Sequence, residues 1–373
     1  MSTNWQFKEL FAELWEKIDM SKILIKNGRV WDGEKFCFAD VLTENEKIIK
    51  IADKINETAE FEYDASGKIV SPGLVDAHVH MRGINKDFGI HAELSCIPFG
   101  VTAAADACGA FGDKALLDTF LLKNVIFVPV DFRSNKACFD STEKMLEKYG
   151  EKAIGLKVYF DTHISDVQDI RSLCEVVKFA EKKNLIIMVH STNSPSPMKE
   201  IINCLRSGDI LTHAYHGGIN TTQDDGFDCI FEAKKRGVIV DAGFAGHIHT
   251  DFNVFKSAVR VGALPDIIST DITRYSAYKR GGRYGMTMCM SIAKTAGMNE
   301  EDIFRSVTSS AAKALKMETK WGYLKMGRCA DISVFEYGDE GFSLCDNQGN
   351  TLESQKGYRC ILTVSDGEIV YKD

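Results

Sequence analysis

Several things are missing from this sequence, and each absence narrows what the chain can be. No apolar run approaches the roughly 18 residues a membrane-crossing helix needs, and the N-terminus lacks the charged-then-apolar layout of a secretory leader. The eleven cysteines contain no C-x-x-C pair, which argues against a disulfide framework or a structural zinc knuckle and for reduced, mostly buried thiols. Cys108, Cys174, Cys204 and Cys229 fall in apolar patterns and are expected to pack in the core. There is no basic stripe: 53 acidic residues against 45 basic ones leave a formal charge of -8. Nucleic acid and anionic membranes, which reward clustered positive charge, are therefore not expected partners. No glycine-rich dinucleotide or phosphate loop follows any strand candidate, so a doubly wound nucleotide-binding sheet is disfavoured. What remains is a soluble globular protein, with the cytoplasm as its expected compartment.

What is present divides into an outer shell and a middle. Residues 1–20 carry Trp5, Phe7, Leu10, Phe11, Leu14, Trp15 and Ile18 at helical spacing, an amphipathic helix whose two tryptophans suit packing on its own domain or on a second subunit of a homo-oligomer. Residues 21–68 and 318–373 read as short strands punctuated by Asn27-Gly28, Asp32-Gly33 and Asp366-Gly367 turns. Together they predict one small β-sandwich built from both ends of the chain. Residues 69–317 alternate strand and helix, with strand candidates at 69–80, 101–107, 125–132, 153–160, 185–190, 210–215, 238–244 and 267–272. Amphipathic segments such as 167–183 and 251–261 lie between them. Eight such units predict an α/β fold, a (β/α)8 barrel of the TIM type.

Barrel enzymes build their sites where strands finish, and chemistry collects there. Strand one ends in His78-Val79-His80, two imidazoles on one face because side chains alternate. Strand four carries Lys157, strand five ends in His190, strand six in His213 and strand eight in Asp271, so four of the nine histidines share one rim. Imidazole and carboxylate suit zinc or a similar first-row ion. A lysine inside an apolar strand must be neutralised, paired or chemically changed. One route is carbamylation of Lys157 by carbon dioxide, which would make an anionic group able to bridge two metals.

The set Val75-Asp76-Ala77-His78-Val79-His80, Lys157, His190, His213 and Asp271, flanked by terminal strands, resembles the amidohydrolase superfamily. The resemblance runs from about Ser21 to Asp373, and it is similar to the binuclear branch of dihydroorotases, hydantoinases and deacetylases. Leu211-Thr212-His213-Ala214-Tyr215-His216-Gly217 resembles the deacetylases most. It implies two divalent ions, Zn2+ by preference, with His78, His80 and Asp271 on one, His190 and His213 on the other, and carbamylated Lys157 between them. It further implies a hydrolase of a C–N bond in an amide, cyclic amide or N-acyl group. A hydroxide between the metals would attack the carbonyl, with Asp271 as the catalytic proton shuttle. A nucleobase or amidine deaminase and a catalytically silent scaffold are the alternatives. Arg82, two residues past His80 as in dihydroorotases, suits a substrate carboxylate. Tyr159, Asn193 and Arg274, the last opening a basic, aromatic, glycine-hinged loop, are further candidate substrate contacts. His247 and His249 follow strand seven and are candidates to line the pocket, although a loop histidine is by default exposed.

Overall fold

A computed structural model describes residues 21–81, 89–107, 117–246, 248–279 and 282–373. The amphipathic segment 1–20, Arg82, Cys108 and His247 lie outside the described residues, as do two of the residues in the loop after strand eight.

Seven parallel strands in chain order make the barrel wall: β1 Leu74–Val79, β2 Val101–Asp106, β3 Lys123–Pro129, β4 Ala153–Tyr159, β5 Ile186–His190, β6 Ile210–Thr212 and β7 Ile239–Val240. Every neighbouring pair is parallel, and nearly every residue of these strands is buried, as expected where helices cover one face and side chains fill the other. Between the strands run helices such as Asp140–Tyr149, Ile170–Lys183, Asp228–Lys235 and Phe252–Val261. The Ile170–Lys183 helix buries Leu173, Val176, Val177 and Ala180 along one stripe. It begins where the Asp169 carboxylate accepts the Arg171 N–H and stops at Asn184, which takes a left-handed φ of 54°.

The expected strands 210–215 and 238–244 shorten to Ile210–Thr212 and Ile239–Val240, and two others depart further from their sequence pattern. The run 69–80 is not one strand. Ile69–Pro72 pairs with the terminal strands Lys22–Trp31 and Ile332–Gly338, and only after Gly73 does the chain enter the barrel as β1. A Cβ at Gly73 would collide with the Thr102 side chain, so glycine permits the close approach at which the chain changes sheets. The eighth stave, 267–272, is not a regular strand. It meets β7 through the Asp241 to Ile267 bridge and β1 through the Val79 to Ile272 bridge, with the Asp271 N–H donating to the His78 carbonyl at 2.8 Å. Buried carboxylates make good the thin ladder. Asp241 accepts from Thr212 and Ser269 hydroxyls, both at 2.7 Å, and Asp76 accepts from the Thr270 hydroxyl at 2.6 Å.

The terminal strands form one eight-stranded sheet in the order Glu368–Lys372, Gly357–Ser365, Ile332–Gly338, Ile69–Pro72, Lys22–Trp31, Phe36–Glu44, Lys47–Ala52, with Phe61–Asp64 also paired to Lys22–Trp31. An antiparallel bridge from Lys47 to Cys329 brings the Lys47–Ala52 edge back toward the start of Ile332–Gly338. Ile23, Ile25, Val41, Val70, Val334 and Leu362 form the core beneath it. An added hairpin, Phe342–Cys345 with Thr351–Ser354, leaves this sheet and reaches the barrel rim. There Gln348 donates to the Gly217 carbonyl at 3.0 Å and Asp346 accepts the Phe252 N–H at 2.7 Å.

The cysteines are less buried than their patterns suggest. Cys229 is in the core, whereas Cys174 and Cys204 are half-buried with their sulfurs 2.6 Å apart. They face each other across two surface helices, whose inner faces are filled by larger aliphatic side chains. Among the described residues no helix is long and apolar enough to cross a membrane.

Candidate active site

His78, His80, Lys157, His190, His213 and Asp271 come together at the carboxyl ends of the barrel strands, each at most 4 % exposed. Asp271 is at the centre: its Oδ1 is 2.7 Å from His80 Nε2 and 3.2 Å from His78 Nε2, and its Oδ2 is 3.7 Å from His213 Nε2. Lys157 Nζ is 2.9 Å from His78 Nε2. The rings of His190 and His213 stand edge to face with centroids 4.5 Å apart.

The outer hydrogen bonds fix which nitrogen of each imidazole faces inward. His213 Nδ1 lies 2.7 Å from the Gly243 carbonyl, which only accepts, so Nδ1 carries the proton and Nε2 presents a lone pair. That Nε2 is buried without a hydrogen-bond partner among the described residues. The Thr212 hydroxyl gives its proton to Asp241, leaving its oxygen to accept from His78 Nδ1 at 3.1 Å and His78 Nε2 to face Lys157 and Asp271. The Thr192 hydroxyl gives its proton to Asp161 and accepts from His190 Nε2 at 2.7 Å. This leaves His190 Nδ1 free of the proton. Imidazoles oriented from behind by oxygen acceptors are the usual setting of metal ligands.

Electrostatics agree with that reading. Burial, followed by the Lys157 charge, pushes His78 down to about 4, and burial likewise lowers His190 and His213, so all three are neutral at pH 7. Burial would push Asp271 up, but the neighbouring His78 and His80 outweigh it and hold the carboxyl well below its ordinary range. Neutral imidazoles around an ionised carboxylate are the protonation state that a divalent cation requires. The backbone is strained at the same points: His213 and Asp271 have φ of 60° and 46°, the left-handed region. Both residues end their strands there.

Ligand atoms of His78, His213 and Asp271 form one group within 4.8 Å, and those of His190, His213 and His249 form a second. His249 is a gain over the sequence reading. Its side chain is only 20 % exposed, its ring is 4.4 Å from that of His213 and 4.7 Å from that of His190, and burial pushes it down to about 3. Asp161 was missed altogether. One residue beyond Phe160, it accepts from the Thr192 hydroxyl and, at 3.1 Å, the Asn193 amide. Burial would raise it, yet hydrogen bonds from His190, Thr192 and the His163 N–H hold it well below its usual range. A polar residue just past a strand-end ligand was the only signal available for it.

The expected substrate contacts fare unevenly. The Tyr159 ring lies tilted beside that of His190, with centroids 5.7 Å apart, and Asn193 lines a cavity of about 230 Å³ beside the site but spends its amide on Asp161. Arg274 is exposed at the start of the Arg274–Lys279 helix, its guanidinium 5.5 Å from the Tyr278 ring.

Comparison with known proteins agrees with this geometry: the model of the "Amidohydrolase family" matches residues 69–370. The chain belongs to the amidohydrolase family. It is accordingly a metal-dependent hydrolase of carbon–nitrogen bonds other than peptide bonds. A deacetylase of Enterococcus faecalis is 26% identical over 371 residues, spanning 93% of this chain and 98% of its own. A dihydroorotase of Lactobacillus acidophilus is 24% identical over 428 residues, spanning 94% and 99%. Among solved structures, an adenine deaminase superposes with a TM-score of 0.82 at 23% identity, covering 94% of this chain and 99% of that one.

Proposed function

We propose that the chain is a binuclear zinc hydrolase that opens or removes an amide, cyclic amide or N-acyl group from a small substrate bearing a carboxylate. The observation that carries the reading is the buried, partnerless His213 Nε2 facing Asp271 beside a fully buried Lys157. A ligand lone pair at this depth is costly unless a cation occupies the space, and a buried lysine is accommodated by neutralisation, pairing or conversion to an anionic carbamate that such a cation would stabilise. His78, His80 and Asp271 would hold one ion, and His190 and His213 the other, with His249 close enough to join the second. Carbamylated Lys157 would lie between them. When bound, the pair supplies a Lewis acid for the substrate carbonyl and lowers the pKa of a water.

The chain's own groups supply the rest. The ionised Asp271 carboxylate accepts the proton released as the carbonyl is attacked and returns it to the leaving nitrogen. Tyr159, beside His190, flanks the acyl group, while Asn193 steadies Asp161 and through it His190. Arg82 and Arg274, on the loops after strands one and eight, bind the carboxylate. The deaminase reading gains no observation of its own, and the buried Lys157 favours the bridged, amide-cleaving site over it. We read the terminal sheet, curled by the Lys47 to Cys329 bridge, as a small sandwich, and the protein as a cytoplasmic homo-oligomer.

The test is a screen of N-acyl amino acids, hydantoins and cyclic imides with zinc-reconstituted protein, alongside Asp271→Asn. Turnover of one class, reduced at least 100-fold in the variant, is expected, since a positioned proton-transfer group contributes about 10²–10⁴-fold. Equal turnover by the variant would remove Asp271 from the chemistry.

A further inference from the structure

Beside the candidate centre, the 230 Å³ cavity is walled by Asp161, Asn193, His216, Ile248, His249 and Gln348. It is lined by the loops after β4, β5, β6 and β7 and by the hairpin that the terminal sheet sends to the rim. His216 is 2 % exposed. Its Nδ1 accepts the Gly218 N–H at 3.1 Å, so in the neutral ring the proton is on Nε2. Burial lowers the ring's pKa to about 4, which keeps it neutral at pH 7. Yet Nε2 has no hydrogen-bond partner among the described residues. Several neighbouring donors are committed: the Asn193 amide and Thr192 hydroxyl to Asp161, the Gln348 amide to the Gly217 carbonyl, and the Asn220 amide to the Ser194 carbonyl. A buried N–H left unmatched is costly and uncommon, and ligand-binding sites are where such groups are kept.

We propose that His216 is a specificity-determining residue, its Nε2–H donating to an uncharged acceptor oxygen on the part of the substrate that enters this cavity. The inference rests on the hydrolase reading and names a feature of its substrate. Asp161, ionised in the same wall, disfavours a carboxylate at this end, whereas an amide, hydroxyl or ketone oxygen suits a neutral donor. Ile248 supplies the apolar side. The substrate is therefore two-ended, with its carboxylate on the loops after strands one and eight and a neutral polar group on those after strands five to seven.

The experiment compares N-acetylasparagine with its near-isostere N-acetylleucine as substrates for zinc-loaded wild type, His216→Phe and His216→Gln. In the wild type kcat/KM favours the amide-bearing compound by about 10-fold or more, since a site built around a hydrogen bond discriminates against the analogue that lacks it. His216→Phe collapses the ratio toward unity while leaving N-acetylleucine within about threefold, and His216→Gln restores part of it. A ratio that survives in His216→Phe, or an equal loss on both compounds, overturns the assignment. If the wild type cleaves neither compound, the N-acyl form of the hydrolase reading fails instead. His216 is then decided by nitrogen-15 histidine spectra: its Nε2–H tautomer, with Nε2 moving on titration with acetamide, is the expected result. A resonance that acetamide leaves unmoved, or the opposite tautomer, overturns the proposal.

Discussion

Lys157 shows at the scale of one residue how far chemistry can be read from sequence. A lysine in the pattern Gly155-Leu156-Lys157-Val158-Tyr159 has to be buried if the strand is, and it is 0 % exposed. Lys157→Ala should lose both bound metal and activity, with bicarbonate plus a short-chain acid restoring part of each; full metal retention in the variant would end the bridging role. His78 and His80 were equally legible, because alternation in an apolar strand puts both on one face. Asp161 and His216 were not, and His249 was read only as a pocket-lining candidate with exposure as its default. Their roles depend on left-handed turns and on loops from different strands meeting, which no local pattern records. Gly243 is another such case. It has φ of 51°, and a Cβ there would meet Thr212 and, at 2.7 Å, His213 Nδ1. Gly243→Ala should therefore displace His213 and weaken metal binding by about 10- to 100-fold, the usual effect of disturbing a ligand's support. Unchanged zinc affinity by competition with a chromophoric chelator would contradict this.

Among elements, the long apolar strands were read correctly because burial on both faces leaves a continuous hydrophobic run. The two departures have a common cause. Gly73 and Asp271 both mark points where backbone geometry changes within an apolar stretch, at one as the chain crosses between sheets and at the other as a ligand turns inward. Periodicity alone carries neither signal. The rim hairpin was also invisible as a functional element, since its sequence reads as one more pair of strands. Asp346 anchors it: Oδ1 accepts the Gln348 and Asn350 N–H groups, both at 2.8 Å, and Oδ2 accepts the Phe252 N–H. Asp346→Ala leaves those buried donors without an acceptor and should destabilise the protein by about 1–3 kcal/mol in urea unfolding. A loss of less than about 0.5 kcal/mol, the range of an ordinary surface substitution, would mean that the hairpin is held by other contacts.

For the whole molecule, the account is that a barrel brings six candidate ligand side chains to one rim while a sheet built from both chain ends lends one hairpin to the cavity beside them. The inward nitrogens of His78, His190 and His213 are set by oxygens of Thr212, Thr192 and Gly243, at or just past the ends of the barrel strands. The metal centre is thus a property of the closed barrel. Metal removal should lower the unfolding midpoint, and re-addition of zinc with bicarbonate should restore it, because a ligand that binds only the folded state stabilises it by mass action. The most direct measurement is metal content per chain, by plasma mass spectrometry, on protein purified without chelator. The account predicts about two first-row ions per chain, falling in Lys157→Ala. One ion per chain, unaffected by that substitution, would contradict the bridged centre.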